Sequence, residues 1–305
     1  MKLRKVLAVI LLSLVVFAFP SCDFLSGMFG GGEAWEPGTP NEPVEPQTPP
    51  DTEDGNAYLG YPTSTSGSNV QLIKHNGYTL LYSYDDLIPL WVMWHLDADD
   101  LGTGREDAFD EDPTVPAEYA VGYSDYTNSG FDRGHMCPNA DRSASAALAD
   151  ETFYMTNMVP QSPYNNQRCW KDFEEFLRGL VEAGDEIYIV AGPYGEGGYK
   201  TDGTLVHEIV ADINGVDKGI RVPESVWKIA LIIDEGSDDI NRIENDIPDV
   251  IAVDMPNKSL AGTEWDDYIC SVNDIEAKTG YDFFNVFTED TENYLEAQEY
   301  ENFRR

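Results

Sequence analysis

Four polar residues in two short stretches carry groups that could together hydrolyse a phosphodiester: His135, Asn166, Glu174 and Arg178. The reaction needs a nucleophilic water, neutralisation of phosphate charge and help for the leaving oxygen. A histidine takes a proton from water near neutral pH. An Mg²⁺ ion held by few protein oxygens keeps several waters and polarises the phosphate. Arginine makes permanently charged, bidentate contacts to phosphate oxygens. His135 ends the run Asp132-Arg133-Gly134-His135, where the glycine allows a sharp backbone turn. The second stretch runs from Asn157 to Arg178.

The spacing of that second stretch predicts the element that positions it. Residues 166 to 182 read as a helix with Cys169, Phe173, Phe176, Leu177 and Leu180 on one face and Gly184 as a stop. Asn166, Trp170, Glu174 and Arg178 follow at steps of four, each advancing about 40°, so the four lie within about 120° of arc at the rim of the apolar face. At about 1.5 Å rise per residue, Asn166 and Arg178 are about 18 Å apart along the axis and cannot share one ion. Asn166 could then be a direct ligand, Glu174 could reach the ion through metal-bound water, and Arg178 would meet a phosphate on the far side. Asn165 leaves a one-residue alternative for the ligand, and Asn166 is preferred for its place before Gln167 and four residues ahead of Trp170.

These residues resemble the DNA/RNA non-specific endonuclease family, whose fold is built on a ββα-metal motif. The matching positions are Asp132-Arg133-Gly134-His135, Asn157, Gln161, Asn166-Gln167, Trp170, Glu174 and Arg178. Trp91-Val92, Leu96, Arg105, Gly192-Pro193, Val222-Pro223 before Trp227-Lys228, and Thr279-Gly280 before Phe283-Phe284 support it. The likeness covers about residues 80 to 285. It implies His135 as general base, Asn166 as direct Mg²⁺ ligand (Mn²⁺ as the alternative metal), and Glu174 holding metal-bound water. It also implies Arg178 and Arg105 on phosphate, Asn157 orienting the site, 5′-phosphate products, and DNA and RNA substrates with little sequence preference. Arg133 and Gln161 are read as substrate-binding; a structural ion pair between Asp132 and Arg133 is the alternative for the former.

The remaining polar residues have plainer readings. His75, His95 and His207 lack such company and read as strand-surface or core histidines, Trp170 as packing, and Arg142 as a solvated loop charge. The Asp-rich segments 97–100 and 107–112 show no EF-hand order and read as solvated loops.

The surrounding elements are mixed. Strands are predicted over Val70–Lys74 and Tyr78–Tyr84 around the Asn76-Gly77 turn, Leu90–Leu96, Phe153–Met155, Glu186–Ala191, Leu205–Ile213, Val226–Ile233 and Val250–Asp254. A short helix over Asn273–Lys278 ends at Gly280, and residues 99 to 130 read as loop. The fold class is α+β, an antiparallel sheet core carrying the ββα-metal motif.

Bulk properties bound the rest. The chain has 305 residues, is 42% hydrophobic and carries a formal charge of -37, which excludes a broad basic surface for gripping nucleic acid. Lys2, Arg4 and Lys5, an apolar run of about 14 residues and Pro20-Ser21-Cys22 read as a signal of the bacterial lipoprotein kind, too short for the roughly 20 residues of a span. Cleavage removes those three cations and no acid, taking the charge to -40. The domains expected are a signal peptide at 1–21, a Pro/Gly/acidic tether at 22–66 beginning with lipidated Cys22, the endonuclease domain at 67–288 and a weakly ordered acidic tail at 289–305. The chain is then extracytoplasmic and held at a bacterial membrane by the lipid anchor alone, on either face, with no protein partner evident. A Cys137–Cys169 disulfide is expected from the two cysteines' nearness to His135 and Asn166. The rival function is a non-catalytic surface lipoprotein or nucleic-acid-binding module that retains the fold, which cleavage of plasmid with and without chelator discriminates.

Overall fold

The computed structural model describes residues 54–64, 69–104, 108–246 and 248–300. The signal segment, Cys22, most of the tether and Arg105 lie outside the described residues. Among the described residues no helix is long and apolar enough to cross a membrane.

A seven-stranded antiparallel sheet organises the chain. Its strands lie in the order Ile269–Cys270, Asp249–Pro256, Ser225–Asp234, Asp185–Tyr194, Ile88–Leu96, Thr79–Ser83 and Val70–Lys74. Strand side chains alternate between faces, and both faces are covered. On the central strand, Val226, Ala230 and Ile232 join one core cluster with Val92, Trp94, Ile189 and Phe173. Trp227, Ile229, Leu231 and Ile233 join the other with Trp91, Val190, Phe283 and Leu295. The expected hairpin around Asn76-Gly77 forms, and Leu90–Leu96 falls within the longer Ile88–Leu96 strand.

The first face carries the helical arm. Pro163–Asn165 leads through a widened π turn at Asn166–Trp170 into the α-helix Lys171–Ala183, which packs Phe173, Leu177 and Val181 against the sheet. Gly184 ends the helix at φ 113°, a left-handed position where a side chain would be strained. A two-stranded hairpin, Asp132–His135 against Met158–Gln161, lies beside it, completing a strand–strand–helix unit.

Several boundaries move. The segment expected to be tether is already folded by residue 54: Ala57 and Leu59 are buried, Tyr61 stacks on Trp91 and Tyr58 on Tyr188. Its aromatic residues reach apolar surface that the surrounding composition conceals. The tail forms the helix Glu289–Glu296, with Leu295 buried against the second face. Phe153–Met155 is no strand; the chain turns through a 3₁₀ helix at Met155–Asn157. The expected strand Leu205–Ile213 divides at His207, and its second part pairs with Val216–Arg221.

No Cys137–Cys169 bridge exists, because both are free thiols. Adjacent backbone does not bring the sulfurs together: Cys169 Sγ turns to the Thr263 carbonyl, while Cys137 is buried beneath the turn that Asn157 holds.

Candidate active site

The Asp132–His135 strand runs antiparallel to Met158–Gln161, with His135 opposite Met158 and Asp132 opposite Gln161. Gly134 is required here by close approach rather than by a sharp turn: a Cβ at this position would lie 2.1 Å from Gln161 Oε1. His135 is held from three sides. Phe109 and Phe153 flank the ring at centroid distances of 5.5 and 5.1 Å. Trp170 Nε1 donates to the His135 carbonyl at 3.2 Å, so the residue expected only to pack also pins the strand end. Asn157 secures the next turn, its Oδ1 accepting from Cys137 N–H at 3.0 Å and its Nδ2 donating to the carbonyls of Cys137 and Thr152. Asn157 is fully buried and does not line the cleft that His135 enters, so it acts by positioning the site.

Asp132 governs the second cluster. Its Oδ2 accepts from Asn166 Nδ2 at 2.9 Å and from Gln167 Nε2 at 2.8 Å. An ionised carboxylate can only accept, so it selects the NH₂ side of the Asn166 amide and leaves the carbonyl oxygen facing elsewhere. The two neighbouring asparagines are also placed differently. Asn165 is buried and ties the helix to the sheet by donating to the Pro256 carbonyl, whereas Asn166 lines the cleft.

That cleft has a volume of about 390 Å³ and brings together His135, Asn166, Glu174 and Arg178, along with Ser143 and Lys171. Glu174 Oε1 lies 3.2 Å from Lys228 Nζ, with only 11% of the Glu174 side chain exposed. Burial lifts the Glu174 carboxyl above its ordinary range and Asp141 adds to this, while Lys228 and Arg178 pull the other way. Arg178 Nη1 pairs with Asp141 Oδ1 at 2.8 Å, and Asp141 Oδ2 accepts from Trp94 Nε1 at 3.0 Å. Burial opposes the Arg178 charge, but Asp141 and Glu174 outweigh it and raise its pKa.

Other expected site residues are placed elsewhere. Arg133 does not pair with Asp132, since neighbouring strand positions project to opposite sides. Its guanidinium lies 3.7 Å from the Tyr123 ring centroid and donates to the Tyr123 carbonyl and Thr127 Oγ1. Those bonds brace the 123–127 segment. Gln161 is fully buried behind Gly134 and donates to Asn165 Oδ1, so it does not bind substrate. Arg142 is no solvated charge: only 2% exposed, it donates to the carbonyls of Gly77, Asp141 and His95 and pairs with Asp100. Asp112, expected in a solvated loop, is buried against His75. His75, His95 and His207 pair with Asp112, Glu186 and Glu196, in keeping with their structural reading.

Sequence reasoning missed Lys228, Asp141 and Trp94 as site components. Lys228 did carry a signal, as the lone cation inside the apolar strand Ser225–Asp234.

The donor set suits a hard divalent cation. Asn166, whose carbonyl oxygen is freed by Asp132, and the carboxylate residue Glu174 line one cleft, and among the described residues no thiol lines it.

Comparison with known proteins agrees. The model of the DNA/RNA non-specific endonuclease family matches residues 55–290. A nuclease of Nostoc sp. is 35% identical over 268 residues, covering 84% of this chain and 92% of the relative. Nuclease C1 of Cunninghamella echinulata is 29% identical over 226 residues, 72% of this chain and 84% of its own length. In the crystal structure of the EndoG/EndoGI complex, a chain of 24% identity superposes with a TM-score of 0.62 over 80% of this chain and 96% of that one, a likeness of fold.

Proposed function

Because the chain belongs to the DNA/RNA non-specific endonuclease family, a family of metal-dependent nucleases, we propose a one-metal hydrolysis of DNA and RNA in which His135 is the general base. The observation that carries this reading is the Asp132 contact, which turns the Asn166 carbonyl oxygen away from the carboxylate in the cleft that His135 also lines.

His135 takes the proton of the attacking water, its ring set by Phe109 and Phe153 and its backbone by Trp170 and Asn157. Asn166 would hold Mg²⁺ directly, and Glu174 would hold it through water. When bound, that ion supplies charge neutralisation at the phosphate and stabilisation of the leaving oxygen. Arg178 spends one guanidinium nitrogen on Asp141 and keeps the others for a phosphate oxygen. Arg105 is assigned to the same task by its match to the family pattern. The scissile bond breaks on the 3′ side, giving 5′-phosphate ends.

The test is cleavage of supercoiled plasmid by the mature chain with Mg²⁺. Cutting should stop with EDTA and fall by about 10²–10⁴-fold in His135→Ala, the range for a lost general base. The fragments should religate without prior phosphorylation. Equal cutting by His135→Ala would refute the mechanism.

We further propose that Cys22 is the lipidated N-terminus of an extracytoplasmic enzyme, which rests on the basic start, apolar run and Ser21-Cys22. Radiolabelled fatty acid should enter the full chain and fail to enter Cys22→Ser; labelling of both would reject the anchor.

A further inference from the structure

Lys228 lies on the central strand of the sheet, opposite Ala191 on one side and Val253 on the other, and is fully buried. Its ammonium sits 3.2 Å from Glu174 Oε1, 4.2 Å from the Trp170 ring centroid and 5.4 Å from that of Trp94. A buried ion pair is a poor device for stability, because desolvating two charges offsets much of their attraction and apolar residues of similar volume often do better. Its neighbours on that strand face are the apolar Val226, Ala230 and Ile232, which pack without any such pair. The cation is therefore better explained by what it holds. It reaches from the sheet to the helix at the one carboxylate that lines the cleft among the described residues, and its stem is immobilised by a strand hydrogen-bonded on both edges.

We propose that Lys228 is a positioning residue that fixes the Glu174 carboxylate in the orientation the bound ion's water shell requires. This rests on the role given to Glu174 above. Trp170 offers its ring face to the ammonium while its Nε1 holds the His135 carbonyl, so the same contact keeps the wall bearing Glu174 in register with the strand bearing the base.

The test is a double-mutant cycle in the mature chain, using Lys228→Met, Glu174→Gln and the pair together. kcat and KM are measured on a defined oligonucleotide, and Mg²⁺ binding is followed by isothermal titration in a His135→Ala background. Lys228→Met should lower kcat by about 10–100-fold, as loss of an outer partner does, weaken Mg²⁺ binding and leave KM nearly unchanged. In the Glu174→Gln background the same change should alter kcat by no more than about twofold, the scatter expected of independent sites. The double variant buries no unpaired carboxylate, so it remains informative where the single variant folds poorly. A Lys228→Met kcat within about twofold of wild type, or the same fractional loss in both backgrounds, would overturn the inference. Full activity of Glu174→Gln would overturn instead the role assigned to Glu174, and this inference with it.

Discussion

The two faces of the sheet differ in one cluster of buried charge. On the cleft face each buried ion meets its opposite: Lys228 with Glu174, Arg178 with Asp141, Arg142 with Asp100, His75 with Asp112. On the far face Glu186 pairs with Arg242 and Asp254 with Lys278, but three other carboxylates gather together. Glu276, Asp282 and Glu296 each place an oxygen within 4.8 Å of the others, and Glu296 is only 7% exposed. Burial, then the charges of Glu276 and Glu292, push the Glu296 carboxyl up to about 8. The cleft face sets its buried carboxylates against cations, whereas this cluster crowds carboxylates together beside the helix Glu289–Glu296. Position in the fold, rather than residue type, decides whether an acid is available for chemistry.

Substitutions on the two faces should therefore fail differently. The largest effect is expected from Leu295→Ala on the far face, which removes a fully buried side chain and should cost about 2–5 kcal/mol of stability. Chemical denaturation would measure that loss, and kcat of the folded enzyme should not change; a fall in kcat would show that the faces are coupled. Next, Asp132→Asn on the cleft face should lower kcat by about 10–100-fold, because an amide no longer selects the NH₂ side of Asn166. The melting temperature should stay close to wild type, and a rate within about twofold of it would show that Asp132 does not orient the ligand.

The smallest effect is in pH dependence, with a different sign on each face. Glu296 has a folded pKa above its unfolded one, so its contribution is complete below the ordinary carboxylate range and is lost as pH rises through about 8. Asp112 is the reverse. Burial alone would raise it, but hydrogen bonds from His75, Thr114 and Thr156 win and lower it to about 2, so its contribution is lost as pH falls through that value. Melting curves against pH should show Glu296→Gln flattening the alkaline decline and leaving the acid limb untouched. An unchanged alkaline decline would remove the Glu296 proton from the account.

The parts of the site that could be read directly were those with short-range geometry. His135 and Asn166 stand in two local clusters whose strand and helix periods state their own directions, and both reach the cleft. The helix stripe was read as an unbroken α-helix, but the π turn at Asn166–Trp170 rotates Asn166 relative to Glu174 and Arg178. Arg133, Gln161 and Arg142 belonged to the same neighbourhoods, yet adjacency along the chain does not state which way a side chain points or what meets it. The ends were misjudged for a related reason. Low hydrophobicity averaged over 22–66 and 289–305 hides the few residues, Leu59, Tyr61 and Leu295, that find apolar surface on the sheet.

From sequence alone follow the family, the antiparallel α+β class and the candidates for base and metal ligand, because local periodicity and motif spacing encode them. Tertiary structure alone decided which carboxylate orients Asn166, which cation meets Glu174, and that the two cysteines stay apart. The two contacts join residues 34 and 54 positions apart in the chain, and the two cysteines are 32 apart. At such separations only the packing of strands and helix sets distance and direction, and no local preference carries that information.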